Sequence, residues 1–226
     1  MQHVNIATPY DSGTTSTGTP FVVMELVADA TNIIQWCDQI NATIEQRLPL
    51  FGQVCSGIAH AHQRGLLHRD IKPGSILVTL VDEQPAVKVI DFGIARSFTA
   101  TSGGGVADAS VAGSPTFMSP EALGADGNVD LDTRSDIYSL GLLLRELLTG
   151  DLPFLPDPSL GALFERLRSG RSIGPAQWLA GQDEVRLKQV AAHRQISPIT
   201  LQRTIAGDLD AIVRKAMAYE RQQRYG

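Results

Sequence analysis

The sequence predicts an α+β fold that is mainly helical, on three observations. Two long segments, from Thr43 to His62 and from Thr133 to Gly150, repeat apolar residues at helical spacing. Short apolar runs flanking polar turns, at residues 4 to 27 and again at 75 to 90, read as two small hairpins. The 226 residues are 43% hydrophobic and 19% charged, enough to bury a sizeable core and too apolar for a disordered or fibrous chain.

Each element has its own local reason. In the first hairpin, PFVVMELV (20 to 27) has strand length, and the preceding DSGTTSTGTP is rich in turn-forming residues. In the first long helix Ile44, Leu48, Phe51, Cys55, Ile58 and His62 form one apolar stripe. Thr43 and Gln46 are spaced as a capping box, and Gly65 ends the helix. Pro49 lacks the N–H that would bond back to Glu45, which predicts a kink or a later start. In the second hairpin, Ser75 to Thr79 and Ala86 to Ile90 are joined by VDEQ.

Residues 97 to 111, SFTATSGGGVADASV, read as a long loop with hydroxyls at Ser97, Thr99, Thr101, Ser102 and Ser110. Helical spacing returns with Ile137, Leu140, Leu143, Leu144, Leu147 and Leu148, a broad apolar face closed by Gly150 that predicts a central buried helix. Residues 151 to 200 alternate short helical patches with Pro and Gly breaks. DLDAIVRKAM then predicts a last amphipathic helix with Leu209, Ile212, Val213 and Met217 inward.

Charge and special residues narrow the function. With 19 Lys+Arg against 24 Asp+Glu, the net charge of -5 provides no global field for nucleic acid or an anionic bilayer, so neither is expected as a partner. No apolar run approaches the roughly 18 residues of a membrane span, and the start MQHVNIATPY lacks the basic and apolar regions of a signal peptide. Cys37 and Cys55 have no metal-ligand spacing, which predicts free thiols in a reducing compartment and hence a cytoplasmic location.

The chemistry is concentrated in two loops. His68-Arg69-Asp70-Ile71-Lys72-Pro73 follows the first long helix, and Asp91-Phe92-Gly93 follows the second hairpin, whose geometry can bring the two carboxylates together. One carboxylate beside a hydroxyl orients it and accepts its proton, and a second holds Mg²⁺ through oxygen while phosphates fill other positions. Lys72, on the same side of an extended loop as Asp70, neutralises a transferring phosphoryl group. The set suits phosphoryl transfer.

HRDIKP (68 to 73), DFG (91 to 93), SPE (119 to 121) and SDIYSLG (135 to 141) follow one another in the order and spacing of protein kinases, which the chain resembles over nearly its whole length. Lys72 within HRDIKP, together with Gly113-Ser114-Pro115, resembles the serine/threonine branch. GDLDAIVRKAM with the later RY resembles bacterial, Hanks-type members. The resemblance implies a protein-kinase-like fold: a residual small-lobe hairpin and hinge over 1–27, and a mainly helical C-lobe over 28–226 with its activation segment at 91–121. It further implies transfer of the γ-phosphate of ATP, with Mg²⁺ or Mn²⁺, to Ser/Thr hydroxyls of a protein substrate.

By position, Asp70 resembles the catalytic base, Lys72 the residue contacting the transferred phosphate, and Asp91 the metal ligand in the nucleotide site. Met24, Glu25 and Val27 fall on the gatekeeper and hinge that meet the adenine edge, and Leu77 on the floor of the adenine pocket. Arg69 resembles the arginine that pairs with a phosphorylated activation loop, which gives the hydroxyls of 97–111 a regulatory reading beside their plain one as solvated loop residues. Ser114 resembles the hydroxyl linking the substrate loop to the base and to Lys72. Glu121 and Arg224 match a buried ion pair, and Asp136 the carboxylate that holds the catalytic-loop backbone.

Two departures accompany the resemblance. The family's Gly-rich loop, strand lysine and helix glutamate have no counterpart here, since MQHVNIATPYDSG matches the segment that follows them. The expectation is therefore a partial catalytic domain, with the missing small lobe or a partner covering the apolar hairpin. The alternative is a pseudokinase or truncated fragment that binds without catalysing. The second departure is Ser75, at the position of an asparagine that binds a second Mg²⁺; with Asp91 it is expected as a metal ligand, since a hydroxyl can ligate Mg²⁺, although it is shorter than the asparagine.

Other residues have plainer readings. His60 and His62 are expected as packing or surface residues, and Trp36 and Trp178 as core or interface aromatics. Arg134, Arg145, Arg166 and Arg168 are expected on solvated helix faces. Asp126, Asp130 and Asp132 lack the spacing of a calcium loop.

Overall fold

The structure, a computed structural model, describes residues 2–92, 115–123, 131–152 and 173–226. The expectations placed on Gly93, on the hydroxyls of 97–111, on Gly113 and Ser114, on Asp126 and Asp130, and on Arg166 and Arg168 lie outside these residues.

The first hairpin pairs β1 (Pro9–Thr14) with β2 (Pro20–Met24), antiparallel. The second pairs β4 (Ile76–Val81) with β5 (Gln84–Val89) through Asp82 and Glu83, whose φ values of 50° and 62° match the twist of a two-residue hairpin turn. A two-residue strand, β3 (Thr31–Asn32), pairs antiparallel with β4, giving the order β3-β4-β5. It has no sequence signature at that length. Beyond β5, Ile6 makes a parallel bridge to Val89, and the Asn5 side chain donates to Val87 O and to Gln53 Oε1 at 3.1 Å each.

Helices α1 (Ile33–Gln39) and α2 (Ile44–His62) follow one another closely, and the Thr43 N–H donates to Gln46 Oε1 at 2.9 Å as the capping box requires. The later start expected from Pro49 does not occur. Proline removes one hydrogen bond near the helix start, while Ile44, Arg47 and Leu50 bury the flanking turns. Gly65, at φ 72°, takes the left-handed turn after the helix and donates its N–H to His62 O at 2.9 Å.

Helix α3 (Thr133–Thr149) is the axis of the fold. Asp132 caps its start by accepting the Arg134 N–H at 2.8 Å, so this aspartate has a structural use. Gly150 closes it at φ 70°, a conformation that a side chain disfavours. Leu140, Leu143 and Leu147 enter one core with Ile33, Val54, Ile58, Ile71, Val78 and Val87. Tyr138, Leu142, Leu144 and Leu148 enter a second with residues of α4 (Pro175–Ala180), α5 (Glu184–Ala192), α6 (Pro198–Ile205) and α7 (Asp208–Ala216). Trp36 and Trp178 pack at the edges of these cores, as expected.

A helix enclosed on two sides overturns the solvated reading of Arg145, which is 0% exposed. It donates to Asp151 O at 2.8 Å and lies 5.7 Å from the centre of the Trp178 ring. On α7, Val213 is buried and Leu209 packs against the core, and Met217 just past its end is buried too, whereas Ile212 is 40% exposed. The inward face of this helix is narrower than the apolar pattern suggests, because Ala216 supplies the contact opposite α3.

Two buried arginines, not anticipated from sequence, complete the C-terminal end of α3. Arg194 donates to Leu148 O at 2.6 Å and Leu147 O at 3.0 Å; Arg47 reaches Leu147 O at 3.4 Å and pairs with Asp38 at 2.7 Å. The last helical carbonyls have no intrahelical donors, and a guanidinium both satisfies them and neutralises the negative helix end.

Glu146, beside this end, has a buried Oε2 with no partner among the described residues. Burial pushes its carboxyl up to about 7, and the charges of Asp38 and Asp151 add to the rise while Arg145 opposes it. The folded chain therefore holds a proton that the unfolded chain releases at the ordinary carboxylate value, so this contribution is complete at low pH and is lost as pH rises through about 7. In urea unfolding between ~pH 5 and ~pH 8, Glu146→Gln is expected to remove up to about 3 kcal/mol of that decline. An equal decline in both proteins would refute this.

Among the described residues no helix is long and apolar enough to cross a membrane. Cys37 and Cys55 are free thiols, and burial pushes both up to about 11, so they stay protonated at neutral pH.

Candidate active site

The loop between α2 and β4 is fixed by backbone hydrogen bonds to distant side chains. Asp136, on the first turn of α3 and 2% exposed, accepts the His68 and Arg69 N–H groups at 2.8 Å each and His62 Nε2 at 2.8 Å. These bonds tie the backbone of residues 68 and 69 to the first turn of α3. His62 has a more specific use than packing: it orients the carboxylate, and no local pattern signals a partner 74 positions away.

His68 joins this loop to the end of β5. Its Nδ1 accepts the Asp70 N–H at 3.3 Å, which leaves the proton on Nε2 to be donated to Ile90 O at 2.9 Å. Burial lowers its basicity, with the Asp136 charge opposing, and the neutral ring fits this bonding pattern. The ring also packs on Phe92, centroid to centroid 4.7 Å. From the other side, Ile90 N–H donates to Ser75 O at 2.9 Å. Asp91, the next residue along, is therefore tied to the Asp70 loop through its neighbour.

Asp70 and Lys72 are in direct contact, Lys72 Nζ donating to Asp70 Oδ2 at 2.6 Å, and both side chains are partly exposed. A lysine held there brings positive charge to whatever the carboxylate meets. Arg69 and Asp91 take left-handed backbone conformations, φ 68° and 60°, which are costly for residues with a Cβ. For Arg69 the Asp136 bond holds the strained backbone in place.

Of the residues expected at the nucleotide base, Met24 ends β2 and Leu77 lies on β4, whereas Glu25 and Val27 follow β2. Leu77, on β4, is paired with Asn32 on one side and Lys88 on the other. Glu25, just after β2, reaches this sheet: its Oε1 accepts from Lys88 Nζ at 2.7 Å and its Oε2 from the Thr8 N–H at 3.0 Å. These bonds hold the Glu25 carboxyl below the usual carboxylate range. Met24 and Val27 flank it, half-buried, and Lys88 is a residue the sequence pattern did not single out.

Glu121 and Arg224 meet as expected. Arg224 donates to both carboxylate oxygens, at 2.7 and 2.9 Å, and Ser135 Oγ adds a third bond to Glu121 at 2.8 Å. Burial by itself raises the Glu121 carboxyl, but the Arg224 bonds and charge outweigh it and hold the group below its ordinary value.

Asp91 suits one cation. Its carboxylate is exposed and has no partner among the described residues. A hard cation such as Mg²⁺ binds through one or two carboxylates and completes its shell with phosphate and water oxygens. Among the described residues no three or more His, Cys, Asp or Glu side chains gather as a metal site. Ser75 does not suit a cation, since its hydroxyl is buried at 0% exposure and turned into its own loop.

A helical lobe built around one central helix, with a backbone-locked Asp–Lys pair on a loop tied through Ile90 to the segment that carries Asp91, has the architecture of a kinase domain. The kinase domain of PknI from Mycobacterium tuberculosis superposes with a TM-score of 0.61 at 23% identity, covering 100% of this chain and 68% of that one. The family model for the protein kinase domain matches residues 1–225, and the chain belongs to that family. Serine/threonine-protein kinase PknB of Mycobacterium leprae is 33% identical over 100% of this chain and 32% of its own length. A probable PknB of Bifidobacterium longum is 32% identical over 100% of this chain and 29% of its own. The chain thus spans about a third of the curated relatives it matches.

Proposed function

We propose that this chain is the catalytic-loop lobe of a bacterial serine/threonine protein kinase, transferring the γ-phosphoryl group of ATP to a protein hydroxyl. The observation that carries the reading is the Asp70–Lys72 contact on a loop locked by Asp136 and His68. Asp70 orients the substrate hydroxyl and takes its proton, and Lys72 stabilises charge on the group in transfer. Asp91 would hold Mg²⁺, which when bound neutralises phosphate charge. In this reading Met24, Glu25, Val27 and Leu77 meet the adenine, Arg69 meets a phosphorylated hydroxyl of 97–111, and Ser114 supports the substrate loop. The division at residue 27 separates the small-lobe hairpin from the rest.

Transfer of labelled γ-phosphate from ATP to a mixed Ser/Thr peptide library tests the reading. Asp70→Asn is expected to lower the rate by about 10² to 10⁴-fold while the thermal midpoint stays near that of the parent. A parent chain that binds an ATP analogue and transfers nothing would replace this reading with that of a non-catalytic binding module.

A further inference from the structure

Ser75 ends the short helical turn Pro73–Ser75 and is 0% exposed. Its Oγ lies 3.1 Å from Asp70 O and 2.9 Å from Lys72 O, and it accepts the Lys72 N–H at 3.1 Å. A hydroxyl has one proton and two lone pairs. The proton serves two carbonyls of the loop and the amide takes a lone pair, so the group is committed to backbone on the segment that presents Asp70 and Lys72. The Ser75 main chain is committed as well: its N–H donates to Lys72 O at 3.0 Å and its carbonyl accepts the Ile90 N–H at 2.9 Å.

A metal ligand needs a lone pair facing the cation from an open position, and Mg²⁺ requires near-octahedral oxygens at about 2.0 to 2.1 Å. The resemblance puts a second-cation ligand at this position, and the residue present does not fit one. We infer that Ser75 is a positioning residue, which staples the Asp70 carbonyl and the backbone on both sides of Lys72, and that this chain holds its nucleotide-bound cation without any ligand from position 75.

Two variants of the full chain test this, Ser75→Ala and Ser75→Thr. By hydrogen–deuterium exchange, Ser75→Ala is expected to speed exchange of the Lys72 amide roughly tenfold or more while the α3 amides keep their protection, and Ser75→Thr, which retains the hydroxyl, restores it. Unchanged exchange at Lys72 in Ser75→Ala overturns the positioning role. In a Mn²⁺ titration followed by electron paramagnetic resonance with a non-hydrolysable ATP analogue, parent and Ser75→Ala are expected to bind the same number of ions within about twofold affinity. Loss of one ion, or roughly tenfold weaker binding, overturns the second half. The metal half rests on the kinase reading, and the failures are separable: absence of analogue-dependent Mn²⁺ binding in both proteins refutes the kinase reading, while amide exchange still decides the role of Ser75.

Discussion

Replacing Arg224 with alanine is expected to cost about 3 to 5 kcal/mol of stability, a large part of what a domain of this size holds. Arg224 is 4% exposed and Glu121 7%, so the substitution leaves a buried carboxylate whose remaining side-chain partner among the described residues is Ser135. It also strips donors from Ala218 O, Tyr219 O and Arg134 O, which the guanidinium meets at 2.7, 2.8 and 3.0 Å, and removes a cation from above the Tyr138 ring at 4.9 Å. Truncating one partner of a buried pair is costly for this reason, whereas replacing both with apolar residues of similar volume is often nearly neutral. Glu121→Leu with Arg224→Met is accordingly expected to recover much of the loss. Urea unfolding at neutral pH measures both, and a loss under about 1 kcal/mol for Arg224→Ala would contradict the assignment. Because the Glu121 carboxyl is held below its ordinary value, the pair's contribution is present at neutral pH and is lost as acidification protonates the folded carboxylate.

The second large effect is on the site itself. Asp136→Asn keeps the shape of the side chain but replaces one acceptor oxygen with a donor. His68 N–H bonds one carboxylate oxygen and Arg69 N–H the other, so either orientation of the amide turns a donor against a donor. The expected stability loss is about 1 to 3 kcal/mol, the cost of one unsatisfied buried group. The loss of phosphoryl transfer is expected to exceed what stability explains, by roughly 10²-fold, since Asp70 follows the strained Arg69 directly and a small displacement of a catalytic group has an effect of that order. Transfer rates at a temperature where the variant remains folded, with amide exchange over residues 68 to 70, provide the check. A variant with normal transfer would show that Asp136 does not position the base.

Much of this was legible along the chain because its causes are local. Helical spacing, the Thr43–Gln46 cap, the Gly150 terminus and the polar turn at Asp82-Glu83 act over a few residues, and the structure places those elements where the pattern predicts. The ordered motifs around Asp70, Asp91, Glu121 and Asp136 pointed to the family for the same reason: each is a short run whose residue types carry its chemistry.

Other features were decided only in three dimensions. Strand β3 exists because β4 offers it an edge, and Pro49 is tolerated because the turns around it are buried. The exposure of Arg145 depended on α3 being enclosed on two sides, which no single-helix pattern contains. Arg47 and Arg194 cap the helix end of a segment far away in sequence, and His62 finds Asp136 across 74 positions. The direction of the Ser75 hydroxyl, into its loop, was set by the packing that buries it. Periodicity and capping are determined by neighbours along the chain; burial and the satisfaction of buried polar groups depend on which segments meet, and only the folded chain brings those segments together.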